Sequence, residues 1–271
     1  MEVEISGVPV HFAEHGDGMP VLALHGAGVD HREMAGALEP VFRDRPGYRR
    51  VYPDLPGMGR TPVADRLRGS DDVLDLVLGL VDAVAGDQRF AVVGHSFGGY
   101  LARGVAARRP AQVAGLALIC PLGEDARDVP EHEVQHASVD VADALSPAEQ
   151  AQFRDYFVVQ TPATLERFRE HVAPALPLVD RDGLGRVFEQ WRLSDTSAYP
   201  GPTLILTGRQ DATVGYAGAY ELVKRYPHAT YAVLDRAGHA LPHEQTGLLA
   251  ALIGEWLDRV GERGHRGPLT G

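Results

Sequence analysis

The 271-residue sequence has one cysteine, Cys120. No internal disulfide can form, so the fold does not depend on an oxidising compartment. Positive charge is also short: 26 lysines and arginines face 37 aspartates and glutamates, for a formal charge of -11. Such a surface repels phosphate backbones and anionic lipid, which argues against nucleic-acid and membrane partners. No uninterrupted apolar run is long enough to span a bilayer. The opening Met-Glu-Val-Glu-Ile-Ser lacks the basic start and apolar stretch of a signal peptide. The expected location is therefore the cytoplasm. There is no internal repeat and no low-complexity segment. What is present is an apolar content of 44 %, enough for a sizeable core in one large domain or two small ones.

Short apolar strands alternate with amphipathic helices over roughly the first 120 residues. Residues 3–5 and 8–13 read as a hairpin joined at Gly7. Residues 21–24, 50–53, 90–93 and 113–119 read as further strands, and the continuous apolar runs suit strands covered on both faces. Asp30-His-Arg-Glu33 reads as a capping box opening a helix toward Phe42. A helix is expected over 70–85, with Val73, Leu76, Val77, Leu80, Val81 and Val84 on one face. Another is expected over 97–108, stopped by Pro110. From Pro121 to about Tyr199 the alternation ceases, and charged helical pieces are expected near 147–160, 162–172 and 184–193. It resumes with strands at 203–207 and 230–234 and helices at 216–225 and 241–260. Repeated strand–helix–strand units imply a mostly parallel sheet with helices on both faces. The expected division is a core of 1–122 and 200–262, a helical cap over 123–199, and a frayed tail over 263–271.

Gly94-His95-Ser96-Phe97-Gly98 lies where a strand gives way to a helix. The Gly-x-Ser-x-Gly pattern there is the nucleophile elbow: the serine projects above the sheet from a sharp turn, and the flanking glycines relieve crowding against neighbouring backbone. The helix N-terminus adds free N–H groups and positive potential beside the hydroxyl. Leu24-His25-Gly26-Ala27-Gly28, Asp54-Leu-Pro-Gly-Met-Gly59, Gly208-Arg-Gln-Asp211 and Gly238-His239 accompany it. Together these motifs resemble the α/β-hydrolase superfamily over nearly the whole chain. The resemblance implies an α/β-hydrolase fold of about eight strands, with an oxyanion loop at His25–Gly28, an acid loop at Asp211 and a histidine loop at His239.

A serine hydroxyl needs a base during attack. Of twelve histidines, His239 falls just beyond the last strand, at the carboxyl edge that Ser96 also occupies. His25 and His95 lie near that edge in other motifs, and the His95 side chain is expected to point elsewhere. Asp211 follows the strand at 203–207 at the same edge and is the expected acid. Glu124, Asp125 and Asp235 compete with it. The backbone N–H of Phe97 is one expected oxyanion donor by its place after the nucleophile, and the resemblance adds that of Ala27. Cys120 reads as a packed thiol. His132 and His136 share a potential helix face but have no third ligand, so no metal site is expected. The turn at Gly57 and Gly59 is not a phosphate loop, because no Lys-Ser/Thr follows.

These residues point to a serine hydrolase that cleaves a small to medium apolar ester, lactone or thioester through an acyl-enzyme on Ser96, with no cofactor. His25, Gly26, Tyr156, Phe157 and Trp191 are the expected substrate-lining residues. The partner is a small ester-like molecule. Carbon–carbon bond hydrolases, cofactor-free perhydrolases and acyltransferases share the same three residues, and a ligand-sensing receptor could keep this fold. The oligomeric state is not fixed by the sequence.

Overall fold

The computed structural model describes residues 1–124 and 129–265. Six strands and three helices come first: β1 (Glu2–Ile5), β2 (Val8–His15), β3 (Met19–Leu24), α1 (His31–Phe42), β4 (Tyr48–Pro53), α2 (Ser70–Ala85), β5 (Phe90–His95), α3 (Ser96–Arg108) and β6 (Val113–Ile119). The intervening segment holds β7 (His136–Ala137), α4 (Val139–Ala144), α5 (Pro147–Arg154), β8 (Val159–Gln160), α6 (Pro162–Arg167) and α7 (Arg181–Glu189). The alternation then resumes with β9 (Thr203–Gly208), α8 (Tyr220–Arg225), β10 (Ala229–Leu234), α9 (Leu241–Glu244) and α10 (Thr246–His265). Eight strands form one sheet in the order β1-β2-β4-β3-β5-β6-β9-β10. β2 runs antiparallel to both β1 and β4, and every other pairing is parallel.

The central strands have no polar face because both faces are covered. Their side chains alternate between two cores. Leu22, Leu24, Val92, Leu116, Leu118 and Ile205 face α2 and α3. Val21, Ala23, Ala91, Val93, Ala117, Leu204 and Leu206 face α1 and α10. The parallel connections carry the loops after β3, β5, β6, β9 and β10 to one sheet edge. Ser96, Asp211 and His239 follow β5, β9 and β10 at that edge.

Four local expectations need correction. Residues 155–160 leave the helix, and β8 pairs in parallel with β7 instead. The stretch carrying His132 and His136 is not helical: His136 lies in β7, and His132 Nε2 is 2.8 Å from the Arg154 carbonyl. The helix expected over 241–260 is two helices. Gln245 leaves helical geometry between them (φ -122°, ψ 48°), where the Glu244 carboxylate turns inward. The second helix continues through His265, so residues 263–265 of the expected tail are helical, whereas 266–271 lie outside the described residues.

Residues 123–199 divide between two packing environments. Val141, Leu145, Phe153, Phe157, Leu165, Phe168 and Val172 form an apolar cluster with Val29 and Ala240. Leu184, Val187, Leu193 and Tyr199 instead join the α2/α3 core.

Candidate active site

Ser96 is the first residue of α3 and has φ 52°, a left-handed backbone that non-glycine residues avoid. The bend is permitted by its glycines. A Cβ at Gly94 would meet the Gly98 carbonyl oxygen at 2.2 Å, and one at Gly98 would meet the carbonyl oxygens of Leu24 and His25 at 2.4 Å. The elbow therefore lies directly against the loop after β3. Gly26 completes that close approach, since a Cβ there would stand 3.3 Å from Ser96 Cβ.

Ser96 Oγ is 2.9 Å from His239 Nε2, and His239 Nδ1 is 2.8 Å from Asp211 Oδ2. The other Asp211 oxygen accepts from the N–H groups of Thr213 and Val214 at 2.9 and 3.0 Å. Burial alone would raise the Asp211 carboxyl, but His239 and the two N–H groups outweigh it and hold it below the ordinary carboxylate range. An ionised Asp211 only accepts, so Nδ1 of His239 carries a proton and Nε2 presents its lone pair to the serine hydroxyl. Ser96 and His239 keep 8 % and 6 % exposure, so both are almost wholly covered. The N–H of Ala27 makes no hydrogen bond to a described residue. Phe97 is second in α3, where N–H groups have no helical partner.

Three of the five expected lining residues, His25, Phe157 and Trp191, pack elsewhere. His25 is fully buried, with Nδ1 2.7 Å from the Gly26 carbonyl and Nε2 accepting from Leu55 N at 2.9 Å. Burial lowers its pKa, consistent with a neutral ring that braces the loop. Phe157 is also fully buried, stacked on Phe153 with centroids 4.7 Å apart. Trp191 packs on Tyr100 of the main core at 5.7 Å. Tyr156 does reach the site, edge-on to His239 at 6.0 Å. Phe188 packs against Phe97 at 5.0 Å, beside the nucleophilic turn.

The competing acids lie apart from His239. Glu124 takes a hydrogen bond from Thr196 and pairs with Arg103, and Asp235 lies near Arg209 at the surface. Asp125 is outside the described residues. Cys120 is buried, its thiol 3.8 Å from the Gly238 carbonyl, and burial pushes its pKa well up. A packed, unreactive thiol fits that environment.

Two groups of described residues bring three potential metal-ligand atoms within 4.8 Å: His95, Cys120 and His239, and His11, His31 and Asp54. In the first, His239 is engaged by Ser96 and Asp211. In the second, His11 and His31 each turn Nδ1 onto a separate Asp54 oxygen, at 2.9 and 2.7 Å. Asp54 also accepts from His31 N and Arg60 N. Both groups are thus engaged in hydrogen bonds of their own.

Two buried acids, Glu33 and Glu244, support the site without a legible sequence motif for that role. Glu33 does not close the capping box. Asp30 caps α1 through Arg32 N, while Glu33 turns inward to accept from Gly26 N at 2.9 Å and to pair with His95. Glu244 accepts from Gly238 N at 2.7 Å and from Val158 N and Val159 N at 2.6 and 3.1 Å, joining the histidine loop to the β8 segment. The signal for Glu33 was ambiguous, since Asp-x-x-Glu serves a cap equally well. Glu244 carried no signal, because its partners are backbone groups distant in sequence.

Burial raises the Glu244 carboxyl to about 7, with its three N–H partners pulling the other way. A folded-state pKa above the unfolded value means that the native state binds the proton more tightly between about 4.5 and 7. This contribution to stability therefore grows as pH falls through that window. Urea unfolding of wild type and Glu244→Gln at pH 8 and pH 5 should show the wild type gaining relative to the variant by on the order of 2–3 kcal/mol on acidification. A difference independent of pH would refute the raised titration.

A mostly parallel eight-stranded sheet, a strained serine after its fifth strand and a Ser–His–Asp hydrogen-bond chain at its carboxyl edge together define a class. The sequence profile of the alpha/beta hydrolase family matches residues 21–252, and the chain belongs to that family. Among curated relatives, the pimeloyl-(acyl-carrier protein) methyl ester esterase of Legionella pneumophila (strain Paris) is 25 % identical, covering 92 % of this chain and 99 % of its own. The 2-hydroxymuconate semialdehyde hydrolase of Pseudomonas putida is 26 % identical over 94 % of this chain and 93 % of its own. The solved alpha/beta superfamily hydrolase from Oenococcus oeni PSU-1 superposes with a TM-score of 0.86 at 25 % identity, covering 93 % of this chain and 96 % of that one. Hydrolysis is the reaction class these relatives share. No helix among the described residues is long and apolar enough to cross a membrane.

Proposed function

We propose that the protein is a serine hydrolase that cleaves a small to medium apolar ester through an acyl-enzyme on Ser96. The observation that carries this reading is the 2.9 Å contact from Ser96 Oγ to Nε2 of a histidine whose Nδ1 lies 2.8 Å from Asp211. As Oγ attacks the ester carbonyl, His239 takes its proton and Asp211 stabilises the imidazolium. The developing oxyanion is met by the N–H groups of Ala27 and Phe97. His239 then protonates the departing alcohol, the acyl-serine remains, and a water activated by His239 releases the acid. Residues 1–122 and 200–262 act as the catalytic core, with 123–199 as a cap over it. Tyr156 beside His239 and Phe188 against Phe97 support an apolar acyl or alcohol group, since pockets are usually walled by such side chains.

A second reading is hydrolysis of a carbon–carbon bond, supported by likeness to the 2-hydroxymuconate semialdehyde hydrolase of Pseudomonas putida. One experiment addresses both. A fluorophosphonate should add once per chain, on the peptide containing Ser96. A panel of chromogenic esters, lactones and thioesters should be turned over faster than a vinylogous 1,5-diketone. Labelling elsewhere would refute the nucleophile, and a preference for the diketone would replace the ester by the carbon–carbon reading.

A further inference from the structure

Glu33 and His95 share a buried site behind the reacting residues, each about 1 % exposed. Glu33 Oε2 accepts from Gly26 N at 2.9 Å, and its Oε1 lies 2.8 Å from His95 Nδ1. That second contact is an ion pair rather than a well-aligned hydrogen bond. His95 Nε2 is 2.9 Å from the His239 carbonyl oxygen. A carbonyl oxygen only accepts, so Nε2 of His95 carries a proton. Glu33 Oε1 at 2.8 Å from Nδ1 favours a second proton there, which would make the ring an imidazolium with its centroid 4.8 Å from that of His239. Burial would raise the Glu33 carboxyl, but His95 and the Gly26 N–H outweigh it and bring it to about 2. Burial would lower His95, and Glu33 outweighs that and raises it.

We propose that Glu33 and His95 are a positioning pair: Glu33 fixes the peptide before Ala27, His95 fixes the main chain of His239, and the His95 charge disfavours premature protonation of the base. This role rests on the proposed reading of Ser96 and His239 as nucleophile and base. The pair links three loops far apart in sequence, after β3, β5 and β10, whose relative placement decides whether oxyanion donors, nucleophile and base meet one carbonyl. Other titratable groups nearby are Asp211, Cys120, His243, Tyr156 and Glu244, whose carboxyl is raised to about 7 and accepts from the N–H of Gly238, besides His239 itself. Asp211 is held below the ordinary carboxylate range, Cys120 is pushed well above its own, and the carboxyls of Glu33 and Glu244 can only be neutral or negative, so His95 is the neighbouring group whose positive charge would oppose the imidazolium of His239.

Glu33→Gln separates charge from framework. The amide oxygen still accepts from Gly26 N, and the amide N–H donates to Nδ1 of a now neutral His95, whose Nε2–H keeps the His239 carbonyl. Glu33→Ala removes the Gly26 anchor as well. The experiment records the pH dependence of kcat/KM for a chromogenic ester, with ¹⁵N NMR of the His95 ring as a readout independent of turnover. In the wild type at pH 7, both His95 nitrogens should be protonated, and in Glu33→Gln only one. The acidic limb of kcat/KM should move up by on the order of half to one pH unit in Glu33→Gln, because of the two charges removed the like charge on His95, whose ring lies against that of His239, is the nearer to the base. Glu33→Ala should lower kcat by about 10²-fold with little change in KM, as expected when an oxyanion donor is misplaced. A neutral His95 ring in the wild type, or an acidic limb unmoved in Glu33→Gln, would overturn the proposal. Should Glu33→Ala not fold, the glutamine variant and the NMR spectrum still decide. A wild-type enzyme that takes no fluorophosphonate on Ser96 would remove the base that the pair is said to tune, and the positioning role with it, even with His95 doubly protonated.

Discussion

Ser96→Ala should lower kcat by on the order of 10⁶-fold while the protein stays folded, the scale of nucleophile loss in a Ser–His–Asp hydrolase. In the proposed mechanism the tetrahedral adducts and the acyl-enzyme are all bonded through Ser96 Oγ, and alanine offers no atom to form them. The elbow itself should survive, because alanine tolerates the left-handed backbone of residue 96 no worse than serine, and the removed oxygen bonds only His239 among the described residues. A thermal melt within a few degrees of the wild type is therefore the expected companion to the lost turnover. Residual rate over the uncatalysed reaction should persist at about 10³–10⁴-fold, since the oxyanion donors and binding surface remain. Cys120 cannot take over, because its thiol is buried and burial disfavours its thiolate. A folded Ser96→Ala enzyme with near-normal kcat would remove Ser96 from the mechanism.

Much of this architecture was legible because it depends on local patterns. Runs such as Val21–Leu24 and Ala91–Val93 could only be strands covered on both faces, and the two cores that receive them alternately account for their unbroken apolarity. The α/β-hydrolase fold follows from repeating that unit, and the family match agrees. Ser96, His239 and Asp211 were nameable because each stands in a glycine-punctuated loop at the carboxyl edge, where the parallel sheet brings such loops together. Segment 123–199 was harder. Its helices are short and its contacts are long-range, so nothing in the sequence distinguished Phe157 and Trp191, which pack inward, from Tyr156, which reaches His239. Glu33 and Glu244 were missed for a related reason. A buried carboxylate that accepts backbone N–H groups leaves no pattern in the residues that donate to it, and on a helix it looks like any polar residue.

Asp211→Asn should lower kcat by up to about 10⁴-fold and leave the fold intact. The asparagine oxygen can still accept from Thr213 N and Val214 N, so the loop after β9 keeps its shape. Its amide, however, presents an N–H where Asp211 Oδ2 now accepts from His239 Nδ1 at 2.8 Å. Two donors cannot face each other, so the imidazole adopts the opposite tautomer, with its proton on Nε2 against Ser96 Oγ. The base is then occupied before the substrate arrives, and the imidazolium that forms during attack loses its counter-charge. The effect on stability has its own pH signature. Asp211 is held below the ordinary carboxylate range, so its ionised form stabilises the native state above that range and the contribution fades as pH falls through it. The deficit of Asp211→Asn should accordingly be largest near neutral pH and shrink on acidification, as read by urea unfolding at several pH values. Glu124 and Asp235 provide the control. Each lies in a separate surface or partly buried contact, with Arg103 and Thr196 or with Arg209, so Glu124→Gln and Asp235→Asn should keep kcat within a few-fold of the wild type. The reverse pattern, with Asp211→Asn active and Glu124→Gln inert, would move the acid to the loop after β6 and require His239 to turn away from the partner it now faces.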